Sequence, residues 1–172
     1  PVGEVRKAKK DIEPMHEVTL SVVMTTYNHE RYIAAAIESV LRQQTSFGIE
    51  IVIGEDCSTD RTLNIARDYE SMYPEAIRII RSEENVGMRR NYRRTIAAAR
   101  GRYIALLDGD DLFTHRQKLQ KQVELLEQHP DIGMCYTRSE RIDEEGHVTI
   151  YPEGECTTTF EARLRRNPAE NC

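Results

Sequence analysis

The chain has 172 residues, enough for one domain with a full core. Apolar residues make up 39% and charged residues 31%, an ordinary balance for a soluble globular protein; a net charge of −5 with no long lysine and arginine run lacks the basic excess of a nucleic-acid surface. No apolar run approaches the roughly 20 residues that span a bilayer.

The opening PVGEVRKAKKDIEP has charges but no apolar signal-peptide segment. Residues 1–17 read as a polar extension outside the fold, and Pro1, standing where a Met would start a chain, as a mark of trimming. Val18–Thr25 (VTLSVVMT) is a short β-branched run suited to a strand buried on both faces. Asn28 can cap a helix in which Ile33, Ile37, Val40 and Leu41 form one apolar stripe. Gly48 ends that pattern, and Ile49–Ile53 predicts a second strand. Ser58, Thr59 and Asp60 offer caps for a second helix with Ile65, Tyr69 and Met72 inward, stopped by Pro74. Ala76–Ile80 predicts a third strand and Asn85-Val86-Gly87 a turn. Residues 88–100 predict a helix with Gly101 at its C′ position, and Tyr103–Leu107 a fourth strand. Thr114-x-x-Gln117 reads as a capping box for a helix with Leu119, Val123 and Leu126 inward. Ile132–Thr137 predicts a fifth strand, and Ile142–Ile150, with its D-E-E-G turn, a hairpin. Strands alternating with helices imply βαβ units around a mainly parallel sheet. Right-handed crossovers then put every strand's C-terminus on one edge, where open α/β sheets bind ligands. The cysteines Cys57, Cys135, Cys156 and Cys172 form no C-x-x-C pair and have no histidine at zinc spacing. They read as small buried residues of a reducing, cytoplasmic setting.

Four polar loops follow the first four strands: Thr25-Thr26-Tyr27-Asn28, Gly54-Glu55-Asp56-Cys57-Ser58, Glu84-Asn85-Val86-Gly87 and Asp108-Gly109-Asp110-Asp111. In the last, neighbouring carboxylates repel one another unless a cation sits among them. Hard divalent ions such as Mg²⁺ or Mn²⁺ take oxygen ligands and complete their shell with substrate phosphates. Asp108, Asp110 and Asp111 are therefore candidate ligands of a metal that neutralises a departing diphosphate. Gly109 lets the backbone turn tightly at the strand end. The competing reading is a solvated acidic turn that caps the next helix. Asp56 could accept hydrogen bonds from a base or ribose, or serve as a turn or cap. Tyr27 could stack on a nucleobase whose edge pairs with the backbone of Thr25 and Thr26, or pack at the strand end. Arg89, Arg90, Arg93 and Arg94, at the start of the third helix, could hold phosphate or form a solvated face. Glu55 fits an ion pair or the rim of the site. His29 and His115 have no partner at metal spacing and read as surface or capping residues. Cys57 lies inside a site loop, with nothing nearby in sequence to mark it as a nucleophile.

Taken in order, VTLSVVMTTYNHERYIAAAIESVLRQQ, EIVIGEDCSTDRT and ENVGMRRNYRRTIAAARGRYIALLDGDD resemble family 2 inverting glycosyltransferases. They match that family's opening strand and helix, its second-strand motif D-D-G-S-x-D, and its N-x-G, helix and D-x-D segment. The resemblance covers about residues 18–137. It implies the GT-A fold, a three-layer α/β/α sandwich with a mainly parallel central sheet. On that pattern residues 1–17 are the extension, 18–137 a nucleotide-sugar-binding core, and 138–172 the start of a truncated acceptor-binding part. The implied partners are a nucleoside diphosphate sugar donor, typically UDP-linked, a saccharide or lipid-linked saccharide acceptor, and Mg²⁺ or Mn²⁺. The implied role is inverting transfer in bacterial cell-surface polysaccharide synthesis, in the cytoplasm or peripherally at the inner face of the membrane. Thr25, Thr26, Tyr27, Asn28, Glu55 and Asp56 would then border the nucleotide from the first two loops, Asp56 binding the base. Asn85, Gly87, Arg93, Asp108 and Gly109 would border it from the others, with Asp110 the more direct metal ligand of the D-x-D. Two positions depart from the pattern. Glu55 stands where the motif has Asp, and its extra methylene is expected to move the carboxylate outward. Cys57 replaces Gly, removing a residue that tolerates positive φ. The general base is expected beyond Cys172. Two rival functions stand beside this one: a sugar nucleotidyltransferase, disfavoured because TTYNHER has no Gly-rich loop or lysine, and a non-catalytic module that binds nucleotide or metal.

Overall fold

A computed structural model of the chain describes residues 18–137, 139–142 and 147–151. The β-branched runs become β1 (Val18–Thr26), β2 (Gly48–Glu55), β3 (Ile77–Arg81) and β4 (Tyr103–Asp108). Between and after them lie α1 (Ile33–Leu41), α2 (Thr62–Met72), α3 (Met88–Ala97) and α4 (Lys118–Gln128). The four strands form one parallel sheet of order β3-β2-β1-β4, and β5 (Ser139–Ile142) pairs antiparallel with β6 (Val148–Tyr151) in a separate ribbon. The chain divides into two compact units, Pro1–Leu119 and Gln120–Cys172, and the parallel sheet lies wholly in the first.

The strand order explains the layers. From β1 to β3 the chain steps one way along the sheet, and then it returns to the far side of β1 to form β4. Right-handed crossovers put α1 and α2 on one face and α3 on the other. Hydrogen bonds agree: Tyr69 of α2 donates to Glu38 of α1, and Asn91 of α3 donates to the Gly54 carbonyl in the sheet. β1 is buried from Leu20 to Thr26, and Ile33, Ile37 and Val40 pack with Ile51 and Ile53 into the core. Gly101 sits beyond the end of α3, not at a cap; a Cβ there would lie 2.5 Å from the Ser21 nitrogen, so glycine lets the chain entering β4 cross β1.

Several expected helix starts shift. α1 begins at Ile33 with Tyr32 at the N-cap and no side-chain cap; Asn28 instead takes φ 56° and accepts from Thr59. An N-cap contributes about 1 kcal/mol and burying an Ile about 1.5–3 kcal/mol, so packing decides where α1 starts. α2 starts at Thr62, whose N–H donates to Asp60 at 2.9 Å, while Ser58 and Thr59 bond to Asn28. Its buried residues are the small Thr62 and Ala66, which let the helix lie close. Ile65 and Tyr69 are left half-buried at the flanks and Met72 is exposed. The Thr114-x-x-Gln117 capping box does not form: α4 starts at Lys118, and the Gln117 N–H donates to His115 Nδ1. Leu119 and Val123 are buried and Leu126 half-buried.

Residues 132–137 form no strand, because that run finds no ladder partner among the described residues. The hairpin forms as β5–β6, and its D-E-E-G turn lies outside the described residues, as do Cys156 and Cys172. Cys57 and Cys135 are half-buried, not fully buried as expected. No helix among the described residues is long and apolar enough to cross a membrane.

Candidate functional site

Beyond the C-terminal ends of β1 and β4 the sheet opens into a cleft of about 380 Å³. β1 and its loop contribute Thr25, Thr26, Tyr27 and His29, and β4 and its loop contribute Asp108 and Asp110. Asp56 lines it from the loop after β2, and Asn85, Gly87, Met88 and Asn91 from the third loop and α3. The chain leaves β1 in one direction along the sheet and arrives at β4 from the other. Open α/β sheets bind ligands at such a switch point.

Gly54 positions α3 over this end of the sheet. A Cβ at Gly54 would lie 2.0 Å from Thr95 Oγ1 and 2.8 Å from Asn91 Oδ1, so only glycine lets the helix sit so close. Asn91 donates to the Gly54 carbonyl at 2.7 Å, and Arg94 donates to the Glu55 carbonyl and to Asn91 Oδ1. From this seat the Tyr92 hydroxyl donates to Asp108 Oδ1, which also accepts the Thr25 hydroxyl. Burial, then the bond to Asp108, pushes the Tyr92 hydroxyl well above its ordinary value of 10.

Asp56 is buried, and each of its oxygens accepts a backbone N–H of the third loop, Val86 at Oδ1 and Gly87 at Oδ2, both at 2.9 Å. It fastens the third loop to the second, a role that neither sequence reading of Asp56 included. A carboxylate oxygen accepts about two hydrogen bonds, so both atoms retain capacity.

Glu55 is not carried outward. It is fully buried, outside the cleft lining, with Oε1 accepting the Ser58 N–H at 2.6 Å and Oε2 unpartnered. Alternation along β2 turns it away from α3, so the longer side chain folds under its own loop. Cys57 takes φ 61° itself. The loop therefore uses a left-handed residue without glycine, at a strain of about 1–2 kcal/mol. Its thiol donates to the Glu83 carbonyl.

Other expected residues stay outside the cleft lining. Asn28 interlocks the first and second loops, its N–H donating to Ser58 Oγ and its Oδ1 accepting from Thr59. Arg93 is exposed with Arg89 and Arg90, while Arg94 is tied to backbone, so the arginine cluster is three solvated side chains and one strut. Gly109 is buried under the cleft; a Cβ there would meet Thr26 Oγ1 at 2.7 Å and His29 Nδ1 at 2.9 Å. Asp111 is exposed, and desolvation followed by the Asp110 and Asp108 charges raises its carboxyl above the ordinary value.

Three lining residues and one supporting residue escaped the sequence reading. His29 looked solitary, but its Nε2 lies 3.8 Å from Asp110 Oδ2. Met88, Asn91 and Tyr92 were hidden in a stretch dominated by arginines. The glycine of VIGED was the available clue, since a small residue at a strand end admits a close helix.

Among the described residues no group of three or more His, Cys, Asp and Glu side chains converges as a metal cage. Beside Asp56, which is tied to the third loop, the β4 end of the cleft presents two carboxylates, Asp108 and the half-exposed Asp110. Such a pair fits a hard divalent ion that takes one or two carboxylates and fills its shell with phosphates and water.

The model of glycosyl transferase family 2 matches residues 21–170. The chain belongs to this family. It is 39% identical over 127 residues to Rv1520 of Mycobacterium tuberculosis, covering 74% of this chain and 37% of that protein. It is equally similar to EpsE of Bacillus subtilis, a protein named as a candidate glycosyltransferase, covering 45% of its length. The family 2 chain thus spans less than half the length of these relatives. Among solved structures it resembles TarS of S. aureus, with a TM-score of 0.58 and 27% identity over 66% of this chain and 33% of that one. TarS has been solved with UDP and with UDP-GlcNAc. A mannosyltransferase of Pyrobaculum calidifontis, at a TM-score of 0.62 and 23% identity over 74% of this chain and 39% of that one, shares the fold. The parallel sheet with helices on both faces is the α/β architecture of these GT-A proteins.

Proposed function

We propose that the chain is the donor-binding part of a glycosyltransferase. It would move a sugar from a nucleoside diphosphate, in the first instance UDP, to an acceptor hydroxyl with inversion. The observation that carries this reading is a single cleft joining Tyr27, Asp56, Asp108 and Asp110 from three separate loops. Family membership supports it, as do the UDP and UDP-GlcNAc complexes of the similar TarS. TuaG of Bacillus subtilis, 38% identical over 107 residues, is named as a candidate glycosyltransferase of teichuronic acid biosynthesis, which supports a role in cell-surface polysaccharide synthesis. We assign that work to the cytoplasm or the inner face of the membrane, where nucleotide sugars are the donors.

In this reading the half-exposed Tyr27 offers a ring face to the base, and Asp56 offers its remaining lone pairs to base or ribose. Thr25, Thr26, Asn85 and Gly87 border the nucleotide. The diphosphate lies toward Asp108 and Asp110. A Mg²⁺ or Mn²⁺ ion held by these two would offset the charge on the departing diphosphate. The acceptor oxygen bonds to the anomeric carbon as the bond from that carbon to the diphosphate breaks. The acceptor's proton passes to a base, which we assign to the acceptor-binding part of the longer protein.

Calorimetry of UDP with and without Mn²⁺ tests the site. Mn²⁺ should tighten UDP, because an ion shared by the carboxylates and the diphosphate completes its shell with phosphate oxygens. Asp110→Ala should remove that gain without moving Tm, since Asp110 is half exposed. UDP binding indifferent to both changes would end the metal assignment, and no UDP binding at all would end the donor assignment. Transfer or hydrolysis of a UDP-sugar by the longer protein separates an enzyme from a binding module.

A further inference from the structure

Asp108 has an unusual environment for a carboxylate at a cleft. Two hydroxyls from different elements, Thr25 on β1 and Tyr92 on α3, both donate to the same oxygen, Oδ1. Among the described residues Oδ2 accepts no hydrogen bond, and Asp108 lines the cleft. The Tyr92 contact depends on a longer chain of causes: Gly54 admits α3 against β2, Asn91 fastens the helix there, and the next residue along reaches β4. A tyrosine hydroxyl commonly finds some partner when buried. This one finds the carboxylate at the centre of the proposed donor site.

We propose that Tyr92 is a positioning residue: with Thr25 it occupies Oδ1 of Asp108 and so presents Oδ2 alone, in one orientation, to a divalent cation bound with a diphosphate. The inference rests on the donor-site reading above. Hydrogen bonds to a ligating carboxylate fix its orientation, and their loss typically lowers metal affinity about 10–100-fold.

The test is Tyr92→Phe, which keeps the ring and removes the hydroxyl. Mn²⁺ affinity is read in the presence of UDP from the paramagnetic resonance signal of free Mn²⁺, beside calorimetry of UDP without metal and a thermal melt. The expected result is a loss of about 10–100-fold in Mn²⁺ affinity, with metal-free UDP affinity and Tm held. Thr25→Val, removing the other hydroxyl, should weaken Mn²⁺ in the same direction and carries the test should Tyr92→Phe fail to fold. If Tyr92→Phe lowers Tm and metal-free UDP affinity together, leaving their Mn²⁺ dependence intact, the residue only packs and the proposal is overturned. If Mn²⁺ affinity survives Tyr92→Phe but not Asp110→Ala, the positioning role falls while the donor site stands. If wild-type UDP binding ignores Mn²⁺, the metal site falls and this inference with it.

Discussion

Glu50 and Glu55 are buried on the same strand, and their surroundings could hardly differ more. Glu50, near the start of β2, is saturated: Oε1 accepts the Ser21 hydroxyl and the Arg100 N–H, and Oε2 accepts Arg100 Nε and the Arg78 guanidinium. Burial pushes its carboxyl upward, but the bonds from Ser21 and Arg100 outweigh that and hold it below 4.5. Glu55, at the cleft end, has one bond to Ser58 and an unpartnered Oε2. Thr26 Oγ1 and His29 Nδ1 nearby are also buried without partners, whereas Arg78 Nε is the single such atom at the opposite end among the described residues. Each such atom costs about 1–3 kcal/mol. One end of the sheet is completed for stability; the other keeps polar capacity and the strained Cys57 beside a cleft, as binding sites commonly do.

The most severe challenge to that contrast is Glu50→Ala. Removing the shared acceptor from the buried Ser21 hydroxyl and the Arg100 N–H should destabilise the fold by about 1–3 kcal/mol for each group left unpaired, read in urea denaturation, with UDP affinity of the folded protein unchanged. A loss below about 1 kcal/mol would put Glu50 among ordinary surface pairs and erase the distinction. The same network has a pH signature. Because the folded Glu50 carboxyl titrates below its unfolded value near 4.5, its contribution is complete above that value. It is lost as pH falls through the folded value, so Glu50→Gln should flatten the acid limb of the stability curve.

A smaller effect is expected at Asp56. Asp56→Ala removes two charge-assisted bonds to Val86 and Gly87, which should cost about 2–3 kcal/mol and weaken UDP even without metal. Equal UDP affinity in wild type and variant would reduce Asp56 to a fastener of loops. The smallest effect is Cys57→Gly. Relief of about 1–2 kcal/mol of left-handed strain, offset by about 0.5–1 kcal/mol of glycine entropy, should raise stability by about 0.5 kcal/mol. A lower Tm would show that the thiol contact with Glu83 outweighs the strain.

The cap residues show how far local pattern reaches. Asn28, Ser58, Thr59 and Asp60 have the chemistry of caps, yet Asn28 bonds to Ser58 and Thr59, and Asp60 accepts from both Glu30 and Thr62. The groups they satisfy belong largely to the other loop, which no window around either segment contains. Cys57 shows the converse, since the loop keeps a left-handed turn although the residue suited to it is gone.

By itself, the sequence determined β1 to β4, their parallel arrangement and the gathering of Thr25, Tyr27, Asp56, Asp108 and Asp110 at one edge. Consecutive β-branched residues mark strands buried on both faces, and right-handed connection leaves one place for their ends. Only the tertiary structure decided that Glu55 turns inward, that Asp56 ties down Val86 and Gly87, and that His29 meets Asp110 and Tyr92 meets Asp108. Each of those outcomes depends on how closely two distant segments approach, and that distance is set by packing against residues such as Gly54.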